Sequence, residues 1–212
     1  MFIELVDALR CPHDHEDSWL VLAAERMYMR NVMDGVLGCP VCRAQYPIAD
    51  GVADFRLHAR SAAAAAPEFP APDADQAMRL AAFLDLRDGD GYAALVGTWT
   101  ALAPAMQAVA ETHLLLVNPA LGVTIEPGTS GMRVDECLHM AAGSLRALAV
   151  DRGAGKDLLT HAVNIVRPGG RVVAPAELPV PEGLTELARD TAVWVAERGA
   201  ATSALISLAR GR

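Results

Sequence analysis

Cys39-Pro40-Val41-Cys42-Arg43-Ala44-Gln45-Tyr46-Pro47-Ile48-Ala49-Asp50-Gly51 decides how the first part of this chain folds, read with Cys11-Pro12-His13-Asp14-His15 upstream of it. Two cysteines two residues apart on a proline-bearing turn make half of a tetrahedral metal site. A cysteine flanked by histidines can supply the other half. Thiolate and imidazole together favour zinc, which they bind tightly and without redox chemistry. Three sulfurs and one nitrogen close the coordination sphere and leave no position for a substrate, so the expected site is structural. Its expected ligands are Cys11, Cys39, Cys42 and His15, with His13 and Asp14 as the alternatives for the fourth place.

The surrounding pattern reads as a zinc ribbon over 1–60. Phe2, Ile3, Leu5, Val6 and Leu9 outline a short amphipathic helix that delivers Cys11. Strands are expected at 18–24 and 46–48, with another at 28–32, and 35–38 leads into the second knuckle. Residues 61–75, SAAAAAPEFPAPDAD, carry three prolines and an alanine run and read as a linker.

Past the linker, over 76–212, elements alternate. Helices are expected at 76–84, along the face Leu102, Met106, Val109 and Ala110, and along Leu158, Leu159, Ala162, Val163 and Val166. Strands are expected at 92–96, 113–117, 145–151 and 171–174, and a weaker one at 123–126. A last helix is read from Leu184, Leu187, Ala188, Thr191, Trp194 and Val195, and a final strand at 203–208. Strand–helix alternation with near-continuous apolar strands predicts an α/β fold with a mostly parallel, Rossmann-like, doubly wound sheet.

Composition narrows the function classes. The 212 residues carry a formal charge of −8, and neither part is basic: 6 basic against 9 acidic side chains over 1–60, and 12 against 17 over 61–212. An acidic chain repels phosphate backbones, which disfavours a nucleic-acid partner. The N-terminus lacks a basic, apolar leader, and no apolar run reaches a membrane span. Four cysteines, three of them in the ribbon, fit a metal site in a reducing, cytoplasmic setting. Cys137 stands apart and reads as a small buried hydrophobe.

Two resemblances follow from these motifs. Leu9-Arg10-Cys11-Pro12, Cys39-Pro40-Val41-Cys42 and Tyr46-Pro47-Ile48-Ala49-Asp50-Gly51-Val52 resemble the zinc-ribbon family that includes the activator subunit of tRNA and release-factor methyltransferases. The first knuckle departs from that family, with Asp14 at the second cysteine's position, and Ala53 replaces its usual proline. Residues 138–151, LHMAAGSLRALAVD, and Val166-Arg167-Pro168-Gly169-Gly170-Arg171-Val172-Val173 resemble a class I S-adenosylmethionine-dependent methyltransferase. That resemblance implies a cofactor loop after the first strand and an acid closing the second.

The cofactor loop is where this sequence departs. After 92–96 comes Gly97-Thr98-Trp99-Thr100, with one glycine and an indole where glycines would let a cofactor approach. Strand two ends in Asn118, which can hydrogen-bond a hydroxyl but carries no charge. Gly97 and Asn118 are therefore the cofactor-binding candidates if S-adenosylmethionine binds at all, and no catalytic residue is assigned. Gly153-Ala154-Gly155-Lys156 lacks the first glycine and the Ser/Thr of a phosphate loop. Asp151-Arg152 reads as a surface pair. The expectation is a non-catalytic protein acting through a protein partner, itself a methyltransferase or a larger complex. The alternative is an active methyltransferase acting on RNA, protein or a small molecule.

Overall fold

Short apolar runs broken by glycines give many strands and few helices. The computed structural model describes residues 1–56, 73–87, 91–120 and 122–199, apart from the side chains at 154–156. A 3₁₀ turn (Ile3–Ala8) precedes β1 (Val21–Tyr28), β2 (Asn31–Gly38), β3 (Gln45–Ala49) and β4 (Val52–Asp54). Then come α1 (Ala74–Phe83), β5 (Tyr92–Val96), a 3₁₀ turn (Gly97–Leu102), α2 (Ala103–Gln107), β6 (His113–Val117) and β7 (Thr129–Arg133). β8 (Leu145–Ala149), a 3₁₀ turn (Arg152–Ala154), α3 (Gly155–Ile165), β9 (Val166–Pro175), β10 (Leu184–Arg189) and β11 (Val193–Arg198) complete the described chain.

All these strands join one mixed sheet in the order β1-β2-β3-β4-β7-β6-β5-β8-β9-β11-β10. Its centre is parallel, from β4 through β7, β6, β5 and β8 to β9. Counted from β5, the strands β7-β6-β5-β8-β9 stand in the order third, second, first, fourth, fifth, which places a topological switch point between β5 and β8. The expectation of a mostly parallel sheet thus needs refining, because antiparallel strands extend it at both ends.

Alternation along each central strand explains the continuous apolar runs. Ala93 and Leu95, Leu114 and Leu116, and Ala147 and Ala149 pack with α1 and α2 on one face. Ala94 and Val96, Leu115 and Val117, and Leu148 and Val150 face the other way, against α3 and the ribbon. The ribbon therefore shares a core with the second part of the chain. A backbone seam reinforces it: Arg10 N–H donates to the His139 carbonyl (2.8 Å), Ala141 N–H to the Ala8 carbonyl (2.7 Å), and Phe55 N–H to the Arg133 carbonyl (2.8 Å). Among the described residues no helix is long and apolar enough to cross a membrane.

Several local expectations are corrected. The last helix is instead the β10–β11 hairpin. Asp190 accepts from the N–H groups of Ala192 (2.6 Å) and Val193 (2.8 Å), which closes a tight turn, and the Val193-Trp194-Val195 run prefers a strand. Trp194 is core, fully buried, but on a strand. Residues 123–126 are irregular. The strand beside them is β7, whose sequence Thr129-Ser130-Gly131-Met132-Arg133 has no apolar run. The N-terminal helix is a 3₁₀ turn, and the expected strands at 18–24 and 28–32 resolve into the longer β1–β2 hairpin, turning at Met29 with φ of 53°. The expected strand at 203–208 and most of the linker lie outside the described residues. Where the linker ends, Asp73 caps α1 by accepting from Asp75 N–H (3.0 Å).

Candidate metal centre and the crevice at the strand ends

Two knuckles converge because β2 ends at Gly38 and β3 returns at Gln45, so the Cys39–Cys42 turn sits on a hairpin beside the segment that leads from the 3₁₀ turn through Cys11. The ligand atoms of Cys11, His15, Cys39 and Cys42 all lie within 4.8 Å of one another. Cys11 Sγ is 3.6 Å from Cys42 Sγ, and Cys39 Sγ is 3.4 Å from His15 Nε2. A zinc tetrahedron with bonds of ~2.3 Å to sulfur and ~2.0 Å to nitrogen has edges of about 3.8 and 3.5 Å, so this donor set fits the ion. His15 Nδ1 lies 2.6 Å from the Glu16 carbonyl, and donating there leaves Nε2 free to ligate.

The electrostatics differ from ligand to ligand, and Cys39 is the one held toward thiolate. Burial raises the Cys39 thiol pKa, but N–H groups of Cys42 and Val41 and the neighbouring thiols outweigh it and bring it down to about 6. Burial holds Cys11 above its ordinary value. The hydrogen bond to Glu16 raises His15. His13 is not in the four-donor cluster: its Nδ1 is 2.9 Å from the Tyr46 hydroxyl and 3.7 Å from Cys11 Sγ. Asp14 is exposed and outside the cluster.

In a doubly wound sheet, ligands bind beyond the carboxyl ends of the strands at the switch point. Here several of the chain's own groups meet at that place. Gly97 (φ 62°) ends β5, and a Cβ on it would collide with the Asp151 carboxylate. Asp151, nine-tenths buried, accepts from Thr98 N–H (2.7 Å) and Gly153 N–H (3.0 Å). Trp99 Nε1–H donates to the Val150 carbonyl (3.1 Å), and Thr100 Oγ1 to the Gly97 carbonyl (2.6 Å). Asn118 (φ 50°) spends its Oδ1 on Val134 N–H (2.9 Å). Both cofactor candidates are thus engaged within the fold. Asp151 is no surface pair with Arg152, which instead meets Glu177 (2.7 Å). Asp151 is a further functional-site residue, and its place directly after a parallel strand is the sequence signal for it.

Other groups stand apart. Burial raises Cys137, beside the charges of Glu136 and Asp157, which keeps it a thiol. Burial lowers His139 to about 4. A groove of about 740 Å³ opens elsewhere, over β3, β4 and β7, lined by Met33, Pro47, Ala49, Val52, Ile125 and Glu126 among others.

No protein-family model and no curated protein matches this chain. Among solved structures it is similar to the geranyl diphosphate C-methyltransferase of Streptomyces coelicolor A3(2), at 16% identity and a TM-score of 0.39, over 47% of this chain and 43% of that one. It is also similar to the antibiotic-resistance methyltransferase Kmr, at 16% identity and a TM-score of 0.38, over 58% of this chain and 93% of that one. The chain spans less than half the length of the geranyl diphosphate enzyme.

Proposed function

We propose that this chain is a zinc-stapled, methyltransferase-like protein that works by binding a protein partner and does not transfer methyl groups. The observation that carries the reading is the crevice at the switch point, where Thr98 N–H is bonded to Asp151, the Val150 carbonyl to Trp99 and Asn118 Oδ1 to Val134 N–H. The zinc site contributes folding, since its four protein donors leave no open coordination position. The acidic balance disfavours a nucleic acid as partner and so favours the reading of a protein partner, a methyltransferase or a larger complex.

Thermal unfolding of the metal-loaded protein with S-adenosylmethionine and S-adenosylhomocysteine tests this. A ligand at a hundred times its Kd stabilises the native state by about 2.7 kcal/mol, which for a chain of this size raises Tm by roughly 5–10 °C. No shift at millimolar ligand is expected. A shift of that size would turn the reading to an active methyltransferase.

A further inference from the structure

The candidate metal centre has an outer layer that the four ligands leave unexplained. Tyr46 is buried (4% exposed), yet its hydroxyl lies 3.3 Å from Cys11 Sγ and 2.9 Å from His13 Nδ1. Its ring packs on Phe55, with centroids 4.9 Å apart, and Phe55 is itself buried where β4 leaves the ribbon. A phenol has one proton to give and can accept another. With Cys11 as a thiolate, which can only accept, the distances give one direction of donation: phenol O–H to the Cys11 sulfur, and imidazole Nδ1–H of His13 to the phenol oxygen. Cys39 is served differently, by the N–H groups of its own knuckle. Cys11 belongs to the knuckle that lacks the matching second cysteine, so a side chain from β3 takes over the role that knuckle amides play for Cys39.

We propose that Tyr46, backed by His13, is the positioning residue of the metal centre: its hydroxyl donates to the Cys11 thiolate, fixes the direction of that sulfur and withdraws charge from it. This rests on the zinc reading above. A metal site with three thiolates and one neutral imidazole carries net negative charge, and an O–H···S bond moderates both the donor strength and the nucleophilicity of the sulfur that receives it. The ring stack on Phe55 ties the same side chain to the seam between ribbon and central sheet.

Cobalt(II) in place of zinc supplies the readout. In Tyr46→Phe the ring packing is kept and only the hydroxyl is lost. The thiolate-to-cobalt charge-transfer band is expected to move to lower energy. Iodoacetamide, which forms an S–C bond at the sulfur and expels iodide, is expected to alkylate Cys11 several-fold faster, as located by peptide mapping, with Cys42 unchanged. His13→Ala, at an exposed position, leaves the core intact and is expected to move the band in the same direction by a smaller amount. Should Tyr46→Phe fail to fold, this second variant decides the matter. Unchanged bands and unchanged Cys11 reactivity would overturn the proposal. Failure of the unaltered protein to take up cobalt would sink the zinc reading itself.

Discussion

Gly97 and Asp151 show how one contact redirects a familiar loop. A left-handed glycine at the end of β5 ordinarily lets a ligand come close, and here it admits a carboxylate from the neighbouring strand end. Gly97→Ala should therefore destabilise the protein by ~1–3 kcal/mol through strain and collision. Urea unfolding measures this, and Asp151→Ala in the same background should recover part of the loss by removing the collision partner. His139 gives a pH dependence. Its folded value of about 4 lies below the ordinary 6.5, so the unfolded chain takes up a proton first as the pH falls. The stability it contributes is present above pH 6.5 and is lost on the way down to pH 4, by at most ~3 kcal/mol. His139→Gln should flatten that part of the stability–pH curve.

Elements were legible where local chemistry and packing agree. The knuckle Cys39-Pro40-Val41-Cys42, the strands β5, β6 and β8, and α3 follow from spacing and periodicity that burial then uses directly. The β10–β11 hairpin is hidden in the sequence because Leu184, Leu187, Ala188, Trp194 and Val195 fit a helical face as well as two strands. The decision rests with Asp190, whose turn hydrogen bonds compete with the helix, and with the open edge of β9 that Val193–Arg198 completes. β7 was invisible because its burial comes from neighbours on both sides, β4 and β6, and not from its own polar sequence. The four side chains that cluster, Cys11, His15, Cys39 and Cys42, could be named, but the rank of Tyr46 and His13 depends on β3 crossing close to Cys11, which no spacing encodes. Trp194 anchors the hairpin: it is fully buried and its Nε1–H donates to the Leu178 carbonyl (2.9 Å). Trp194→Ala should cost ~3–5 kcal/mol, read as a lowered denaturation midpoint.

On the scale of the whole molecule, the ribbon is built into the central sheet. β4 pairs in parallel with β7, and the 3₁₀ turn and Cys11 segment lie along the 139–141 loop, so a strand of the ribbon covers what would otherwise be the edge of the parallel centre. Losing the metal should then uncover β7 as well as loosen the knuckles. Chelation is expected to lower Tm and to raise light scattering together, whereas a metal-free protein that melts unchanged would make the ion dispensable. The central claim proposed above is that the chain's own groups meet at the switch point in place of a cofactor. Isothermal titration of the metal-loaded protein with S-adenosylmethionine tests it most directly: the account predicts no saturable heat up to millimolar ligand, and a one-to-one isotherm with micromolar affinity would contradict it.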